Sequence, residues 1–263
     1  MSRAFLLAAG LGTRLRPLTY HTPKCLLPIQ GRPLLAIWLD LLSRHGVREV
    51  LINTHWLHEQ VEAFFRQHLP GTAQAFRFRY KADGTSGSRC LMGEWPEIRL
   101  FYEARLLGSA GTIAANREWV SDGEPFFILY GDNLTNVNLS AMLAFHKTHG
   151  LPFTLGVFEP EDPSRCGIAE VAADGTVLGF VEKPARPKSN LAAAGIYVAD
   201  ARIFDFFPPA KAGSGSMDLG YHVLPRLVGN MKAYFIKEFI RDIGTMEAYG
   251  KVQIEWVEVE AEK

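Results

Sequence analysis

The densest chemistry lies near the start of the chain. Leu7-Ala8-Ala9-Gly10-Leu11-Gly12-Thr13-Arg14-Leu15-Arg16-Pro17-Leu18-Thr19 is followed by Thr22-Pro23-Lys24. A glycine turn at the end of a buried strand can aim backbone N–H groups at a phosphate chain. Glycine suits that turn because a Cβ would block close approach or forbid the backbone angles. Arg14, Arg16 and Lys24 then offer cationic partners to phosphate oxygens. Two familiar glycine motifs do not fit. The dinucleotide fingerprint needs a third glycine where Leu15 stands. The Gly-Lys-Ser/Thr ending of an NTPase phosphate loop is absent. For a lone Gly-x-Gly a tight turn with solvated arginines is the plainer reading; the full string with its Pro-Lys is more specific.

The elements that must position this string read as alternating strands and helices. Residues 4–8 form an apolar strand, and residues 10–33 a Gly, Thr and Pro-rich loop. Leu34, Leu35, Trp38, Leu41 and Leu42 fall at helical spacing up to Gly46. A strand at 47–53 and a helix at 56–68 follow, the order that builds a parallel sheet with crossovers. Strands are expected at 75–80 and 98–102, with 81–96 a polar excursion between them, then a helix at 111–120. Residues 126–130 read as a buried strand ending at Gly131-Asp132, with a helix through His146. The second half is strand-rich, at 153–158, 168–171, 177–182, 193–198 and 234–239, with Asp174-Gly175 as a hairpin turn. Residues 208–216 read as a loop, 217–228 and 244–255 as helices, and the charged end from Val257 as a frayed tail.

The opening string resembles the signature of the sugar-phosphate nucleotidylyltransferases, which runs Ala-Gly-x-Gly-Thr-Arg-Leu-x-Pro-Leu-Thr and continues Pro-Lys. The likeness continues in chain order. Leu107-Gly108-Ser109-Ala110-Gly111-Thr112 is similar to the family's base-binding loop, and Gly131-Asp132 to its first metal carboxylate. Gly167, Glu182-Lys183-Pro184 and Gly195-Ile196-Tyr197 match its sugar-side motifs, and Asp242-Ile243-Gly244-Thr245 its second metal carboxylate.

The resemblance implies a three-layer α/β/α Rossmann-like fold with a mostly parallel, mixed sheet. It implies one catalytic domain over 1–263, with 1–150 mainly nucleotide-binding and 151–250 mainly sugar-binding. It implies attack of a sugar 1-phosphate on the α-phosphorus of a nucleoside triphosphate, with positioning and charge neutralisation as the enzyme's work. Arg14, Lys24 and Asp132 would be catalytic, Lys24 at the reacting phosphates and Arg14 at the triphosphate. Asp132 and Asp242 would share a Mg²⁺, a hard cation that prefers oxygen ligands. Ala8, Gly10, Gly12, Thr13, Gly108 and Gly111 would bind the nucleotide. Gly167, Glu182, Lys183 and Gly195 would bind the sugar phosphate, with Glu182 and Lys183 facing Ala193 from the neighbouring strand. Taken singly, either aspartate is an ordinary turn or cap residue, and both glycines of the base loop serve equally as turn formers.

One departure stands out: the family's Asn-x-Gly sugar motif is Ala193-Ala194-Gly195 here, so a carboxamide is missing and sugar discrimination should differ. The Leu-Gly-Ser-Ala-Gly loop looks closest to guanylyltransferases for mannose or heptose phosphates, which favours GTP. Asn53-Thr54-His55-Trp56 resembles uridylyltransferases acting on N-acetylmuramic acid phosphate. A uridylyltransferase, a phosphocholine cytidylyltransferase and a non-catalytic nucleotide-sugar-binding regulatory paralogue stay open as alternatives.

Composition narrows the partners. Lys+Arg and Asp+Glu balance at 28 each, which argues against nucleic-acid or anionic-membrane binding. Cys25, Cys90 and Cys166 show no disulfide or zinc spacing, which fits a reducing cytoplasm. No stretch approaches a membrane span in length. Cys25 reads as an apolar filler, His45, His55, His58 and His146 as ordinary histidines, and Phe204-Asp205-Phe206-Phe207 as core. Homo-oligomerisation is compatible with all of this.

Overall fold

The computed structural model describes residues 2–68, 77–80, 87–91, 95–209 and 215–257, with 77–80 and 87–91 described by their backbone pairing. Parts of the expected strand at 75–80, of the 81–96 excursion and of the 208–216 loop lie outside these residues, as does the tail beyond Val257. The elements are β1 (Arg3–Leu7), β2 (Pro28–Ile29), β3 (Arg32–Pro33), α1 (Leu34–Arg44), β4 (Glu49–Thr54) and α2 (His58–His68). Then come β5 (Arg77–Tyr80), β6 (Gly87–Leu91), β7 (Glu97–Tyr102), α3 (Ser109–Ala115), β8 (Phe126–Tyr130), β9 (Asn133–Thr135) and α4 (Leu139–His149). The chain closes with β10 (Phe153–Phe158), β11 (Gly167–Val171), β12 (Val177–Glu182), β13 (Ala192–Ala199), β14 (Met231–Phe235), β15 (Ile240–Asp242) and α5 (Met246–Glu255). The fold is α/β with mixed strand pairing, as expected.

Two compact units are interleaved along the chain. One, the glycine-loop unit, comprises Ala4–Arg105, Tyr130–Asn138 and Glu238–Lys263. Its strands run β1-β4-β7-β6-β5, with β4 and β7 parallel from Glu49↔Glu97 to Thr54↔Tyr102. The apolar runs of β1 and β4 are buried, as strands covered on both faces must be. α1 buries the Leu34, Leu35, Trp38, Leu41 and Leu42 read from the sequence, and Ala36, Ile37 and Leu39 with them. Its chain reverses at Gly46, whose φ of +69° suits glycine. The expected excursion is corrected here: β6 lies within it and pairs antiparallel with both β5 and β7. Its Gly-Ser-Arg-Cys-Leu sequence lacks the apolar alternation that would have marked a strand.

The strand-rich unit comprises Met1–Arg3, Leu106–Leu129 and Leu139–Lys237. Its strands run β12-β11-β13-β8, and β10 pairs antiparallel with β13 and parallel with β14. Ala172, Asp174 and Gly175 make the expected hairpin turn, with Gly175 N donating to Ala172 O at 2.9 Å. Three expectations are corrected. The helix at 217–228 is instead one wide turn, Leu219–Val223, and one tight turn, Leu224–Arg226. Pro225 lacks the N–H that a continuous helix would need. The helix at 111–120 is α3 followed by a separate tight turn, Arg117–Val120. The Phe204, Phe206 and Phe207 rings are half-buried at the surface, while Ile203 fills the interior, and Arg117 lies 5.2 Å over the Phe204 ring. They sit on a short tight helix, Ala201–Phe206, whose three-residue turn spreads them around its axis.

Candidate functional site

In the glycine-loop unit, a buried polar chain sets where the loop leaves β1. Ala8 N donates to Asn53 Oδ1 at 2.7 Å, and Asn53 Nδ2 donates to Glu103 Oε1 at 2.8 Å. Both side chains are buried, so this bonding satisfies groups that would otherwise be costly there. Asn53 entered the sequence reading only as part of the Asn53-Thr54-His55-Trp56 resemblance, and Glu103 not at all; the signal for this bonding is a polar residue within or just after an apolar strand. Gly12 then turns with φ +63°, and Thr19 Oγ1 donates to its carbonyl at 2.8 Å. A Cβ at Gly12 would sit 2.8 Å from Thr19 Cγ2. Gly10 differs. Its φ is not left-handed, and a Cβ there would meet nothing within 4 Å. Neither backbone nor packing requires glycine at that point, and the space beside it is open to a ligand. Thr13 and Arg14 follow on an exposed tight turn, Thr13–Leu15.

The two aspartates arrive from opposite ends of the sequence. Asp132 follows β8, and Gly131 N donates to Leu7 O at 2.9 Å, beside the start of the glycine loop. Asp242 does not follow a 234–239 strand, because β14 stops at Phe235; it ends the short β15 instead. β15 pairs antiparallel with β9, which sets Asp242 opposite Asn133, and Ile243 N donates to Asp132 O at 3.0 Å. Trp38 Nε1 donates to Asn133 O at 2.8 Å and ties β9 to α1. The carboxylates therefore converge on Lys24: its Nζ is 2.6 Å from Asp132 Oδ2 and 3.3 Å from Asp242 Oδ1. Arg14 Nη2 stands 3.8 Å from Asp242 Oδ2.

The Lys24 side chain is 9% exposed, against 36% for Asp132 and 52% for Asp242. Burial pulls the ammonium's pKa down, yet the two carboxylates and their hydrogen bonds outweigh it and hold the pKa above the usual lysine value. Lys24 is thus a fixed positive charge with little freedom to move. Cys25 beside it is buried, and burial pushes its thiol up to about 12, so it is the neutral filler expected rather than a nucleophile. Asp132 and Asp242 are also oxygen donors of the kind that would hold a hard divalent cation. Among the described residues no third carboxylate, His or Cys joins them.

In the strand-rich unit, the loop before α3 packs backbone against backbone. Gly108 has φ +79°, and a Cβ there would lie 2.4 Å from Met217 O. Met217 O accepts from Ala110 N at 2.9 Å and Gly111 N at 3.0 Å, and Met217 N donates to Leu107 O at 2.7 Å. The close approach that requires glycine at 108 is therefore to this protein segment. Gly167 and Glu182 meet across β11 and β12: they are opposite in register, and a Cβ at Gly167 would lie 2.5 Å from Glu182 Oε2. Lys183 takes a left-handed φ of +49°, rare for a residue with a Cβ, while Lys183 N donates to Cys166 O at 3.0 Å. Its exposed Nζ is 3.6 Å from Glu182 Oε1.

The neighbouring-strand expectation for Glu182 and Ala193 is corrected, because β11 stands between β12 and β13. Gly195 has φ +66° within a bulge of β13, where the register against β10 shifts between Leu155 and Val157. Ala193 borders that bulge, opposite Val157. Asp218 was not anticipated; a Ser/Asp cap just before an apolar turn would have signalled it. Burial raises the Glu182 pKa, Lys183 opposes this, and Asp218 adds to it. Burial, then Glu182 and Asp218, also raise the Tyr197 pKa, which keeps the phenol neutral.

The nucleotidyl transferase family profile matches residues 3–257. The chain belongs to the nucleotidyl transferase family. This family member is 30% identical over 235 residues to a UTP–glucose-1-phosphate uridylyltransferase of Synechocystis sp., covering 86% of this chain and 55% of that protein. It is 35% identical over 198 residues to the mannose-1-phosphate guanylyltransferase catalytic subunit beta of Danio rerio, covering 74% of this chain and 49% of that protein. The chain spans about half the length of the curated relatives it matches. Crystalline HddC from Yersinia pseudotuberculosis, complexed with GMP-PN, superposes with a TM-score of 0.70 at 21% identity, covering 96% of this chain and 98% of that one. A Bacillus anthracis protein crystallised with a sucrose gives a TM-score of 0.78 at 20% identity, covering 96% and 94%. At such identities the likeness establishes the fold. Among the described residues no helix is long and apolar enough to cross a membrane.

Proposed function

We propose that this chain transfers a nucleotidyl group from a nucleoside triphosphate, GTP by preference, to a sugar 1-phosphate, releasing pyrophosphate. The observation that carries the reading is the ammonium of Lys24 held between Asp132 and Asp242 beside the Gly10–Gly12 turn. Several similar relatives are named mannose-1-phosphate guanylyltransferases, which supports GTP, while the Synechocystis relative supports UTP as the second reading. A regulatory paralogue that only binds nucleotide sugar would not need both carboxylates beside a buried lysine.

In this mechanism a sugar-phosphate oxygen bonds to the α-phosphorus as the bond to the β-phosphate oxygen breaks. The Gly10 turn receives the triphosphate, with Ala8, Gly12 and Thr13 shaping it. Lys24 neutralises charge that builds on the reacting phosphates. Arg14, half-exposed, reaches the outgoing phosphates. Mg²⁺, when held by Asp132 and Asp242, supplies charge neutralisation at the triphosphate oxygens. In the strand-rich unit Lys183 holds the sugar's phosphate, Glu182 accepts from a sugar hydroxyl, and Gly167 and Gly195 leave room for the ring. Gly108 and Gly111 hold the loop assigned to the base.

The test is metal dependence. EDTA abolishes turnover and Mg²⁺ restores it, and Asp132→Ala and Asp242→Ala each lose on the order of a hundredfold in kcat. Near-normal turnover in both variants would remove the assignment.

A further inference from the structure

One short segment, Met217–Tyr221, touches both functional regions of the strand-rich unit. Toward the loop before α3 it makes the three backbone hydrogen bonds of Met217 with Leu107, Ala110 and Gly111. A side-chain lock closes the same contact across 109 positions of sequence. Ser109 Oγ donates to Asp218 Oδ2 at 2.9 Å and accepts from Leu219 N at 2.7 Å. The other oxygen, Asp218 Oδ1, accepts from Gly220 N at 2.8 Å and Tyr221 N at 3.3 Å, which caps the turn. Toward β12 the segment abuts Glu182: a Cβ at Gly220 would lie 2.4 Å from Glu182 Oε2. The Asp218 and Glu182 charges also act on one another. A shift of Glu182 on taking up a sugar therefore presses on Gly220, and through Asp218 and Ser109 on the Gly108 loop. Seven hydrogen bonds leave that path little slack.

We propose that Ser109 and Asp218 are positioning residues that couple sugar 1-phosphate binding at Glu182 to nucleotide binding at the Gly108 loop. This rests on the nucleotidyl-transfer reading above. Ser109→Ala removes the lock without adding bulk, and leaves Leu219 N and Asp218 Oδ2 without their shared hydroxyl. Ser109→Thr keeps the hydroxyl.

The experiment measures binding, by calorimetry with Mg²⁺, of α,β-methylene GTP and UTP with and without mannose 1-phosphate or glucose 1-phosphate; these triphosphates cannot be cleaved at the α-position. In the wild type, sugar 1-phosphate tightens triphosphate binding at least fivefold, and the reverse factor is equal. Ser109→Ala reduces both factors to below twofold, each factor being taken as a ratio of affinities within the same variant. Ser109→Thr restores the coupling, and Asp218→Asn, which puts an amide where Ser109 needs an acceptor, reduces it. Full coupling in both Ser109→Ala and Asp218→Asn, or two ligands binding the wild type independently, overturns the link alone. A wild type that binds none of these triphosphates or sugar phosphates overturns the underlying reading, and the link with it.

Discussion

Gly10 and Gly12 stand two residues apart, yet substitution should separate their roles. Gly12→Ala forces a left-handed alanine, which costs about 1–2 kcal/mol. Its methyl would also lie 2.8 Å from Thr19 Cγ2, on a buried side chain whose hydroxyl is already bonded to the Gly12 carbonyl. That overlap adds about 1–2 kcal/mol. A total of about 2–4 kcal/mol corresponds to a fall in Tm of roughly 4–8 °C. Gly10→Ala meets no left-handed φ and no atom within 4 Å, so stability stays equal or rises by about 0.4–1 kcal/mol. Its methyl does enter the open space where the triphosphate is proposed to approach. Losing one charge-assisted backbone hydrogen bond there, about 1.5–3 kcal/mol, weakens triphosphate binding roughly 10- to 100-fold. Thermal scans and calorimetric titration with GTP and UTP, both with Mg²⁺, read the two effects apart. A Gly10→Ala protein that melts like the wild type and binds triphosphate equally well would refute the cradle.

Three further outcomes follow from the same geometry. Lys24→Met lowers kcat about 10²- to 10³-fold while triphosphate affinity falls less than tenfold, because the buried ammonium acts on charge that develops during transfer; unchanged kcat with weaker binding alone would assign Lys24 to the ground state. Ala193→Asn, which restores a carboxamide beside the β13 bulge, shifts the ratio of kcat/KM between sugar 1-phosphates by roughly 1–3 kcal/mol and leaves base preference alone; an unchanged sugar ranking contradicts this. His146 is buried and hydrogen-bonded to Thr154, and burial, then His149, push its pKa down to about 4 from 6.5. Its folded value is depressed, so the stability it confers is present above pH 6.5 and is lost as pH falls toward 4. Relative to His146→Gln, the wild type should lose about 3 kcal/mol between pH 7.5 and 4 in urea unfolding, and parallel curves would contradict it.

The strand at 126–130, apolar throughout, was legible residue by residue, and 153–158 was read with its exact bounds although Thr154 and Gly156 interrupt its apolar residues. So was α1, whose buried face and terminal glycine both appear in the sequence. What failed was structure held by distant partners. β6 is held by pairing on both sides rather than by an apolar pattern, and β15 by its ladder to β9. The helix expected at 217–228 starts only after the Asp218 cap and is divided ahead of Pro225 into two short turns. The site shows the same division. The glycine string, Lys24 and both aspartates carry local motifs, and the structure does bring Lys24, Asp132 and Asp242 together. The hydrogen-bonding roles of Asn53, Glu103, Ser109 and Asp218 were not legible, even where a motif covers the residue as at Asn53 and Ser109, because each acts through a hydrogen bond to a segment far away in sequence. The adjacency of Glu182 to Ala193 was misjudged because strand order in a mixed sheet depends on crossovers that local patterns do not reveal.

The central claim is tested most directly by pyrophosphate release. The purified chain, with Mg²⁺, is assayed with each of four nucleoside triphosphates against mannose 1-phosphate, glucose 1-phosphate, a heptose 1-phosphate, N-acetylmuramic acid 1-phosphate and phosphocholine. The account predicts release that needs both a triphosphate and a sugar 1-phosphate, is greatest with GTP, yields the matching nucleotide sugar in equal amount, and disappears in Lys24→Met. Release without any acceptor, release with phosphocholine alone, or none with any pair would contradict it.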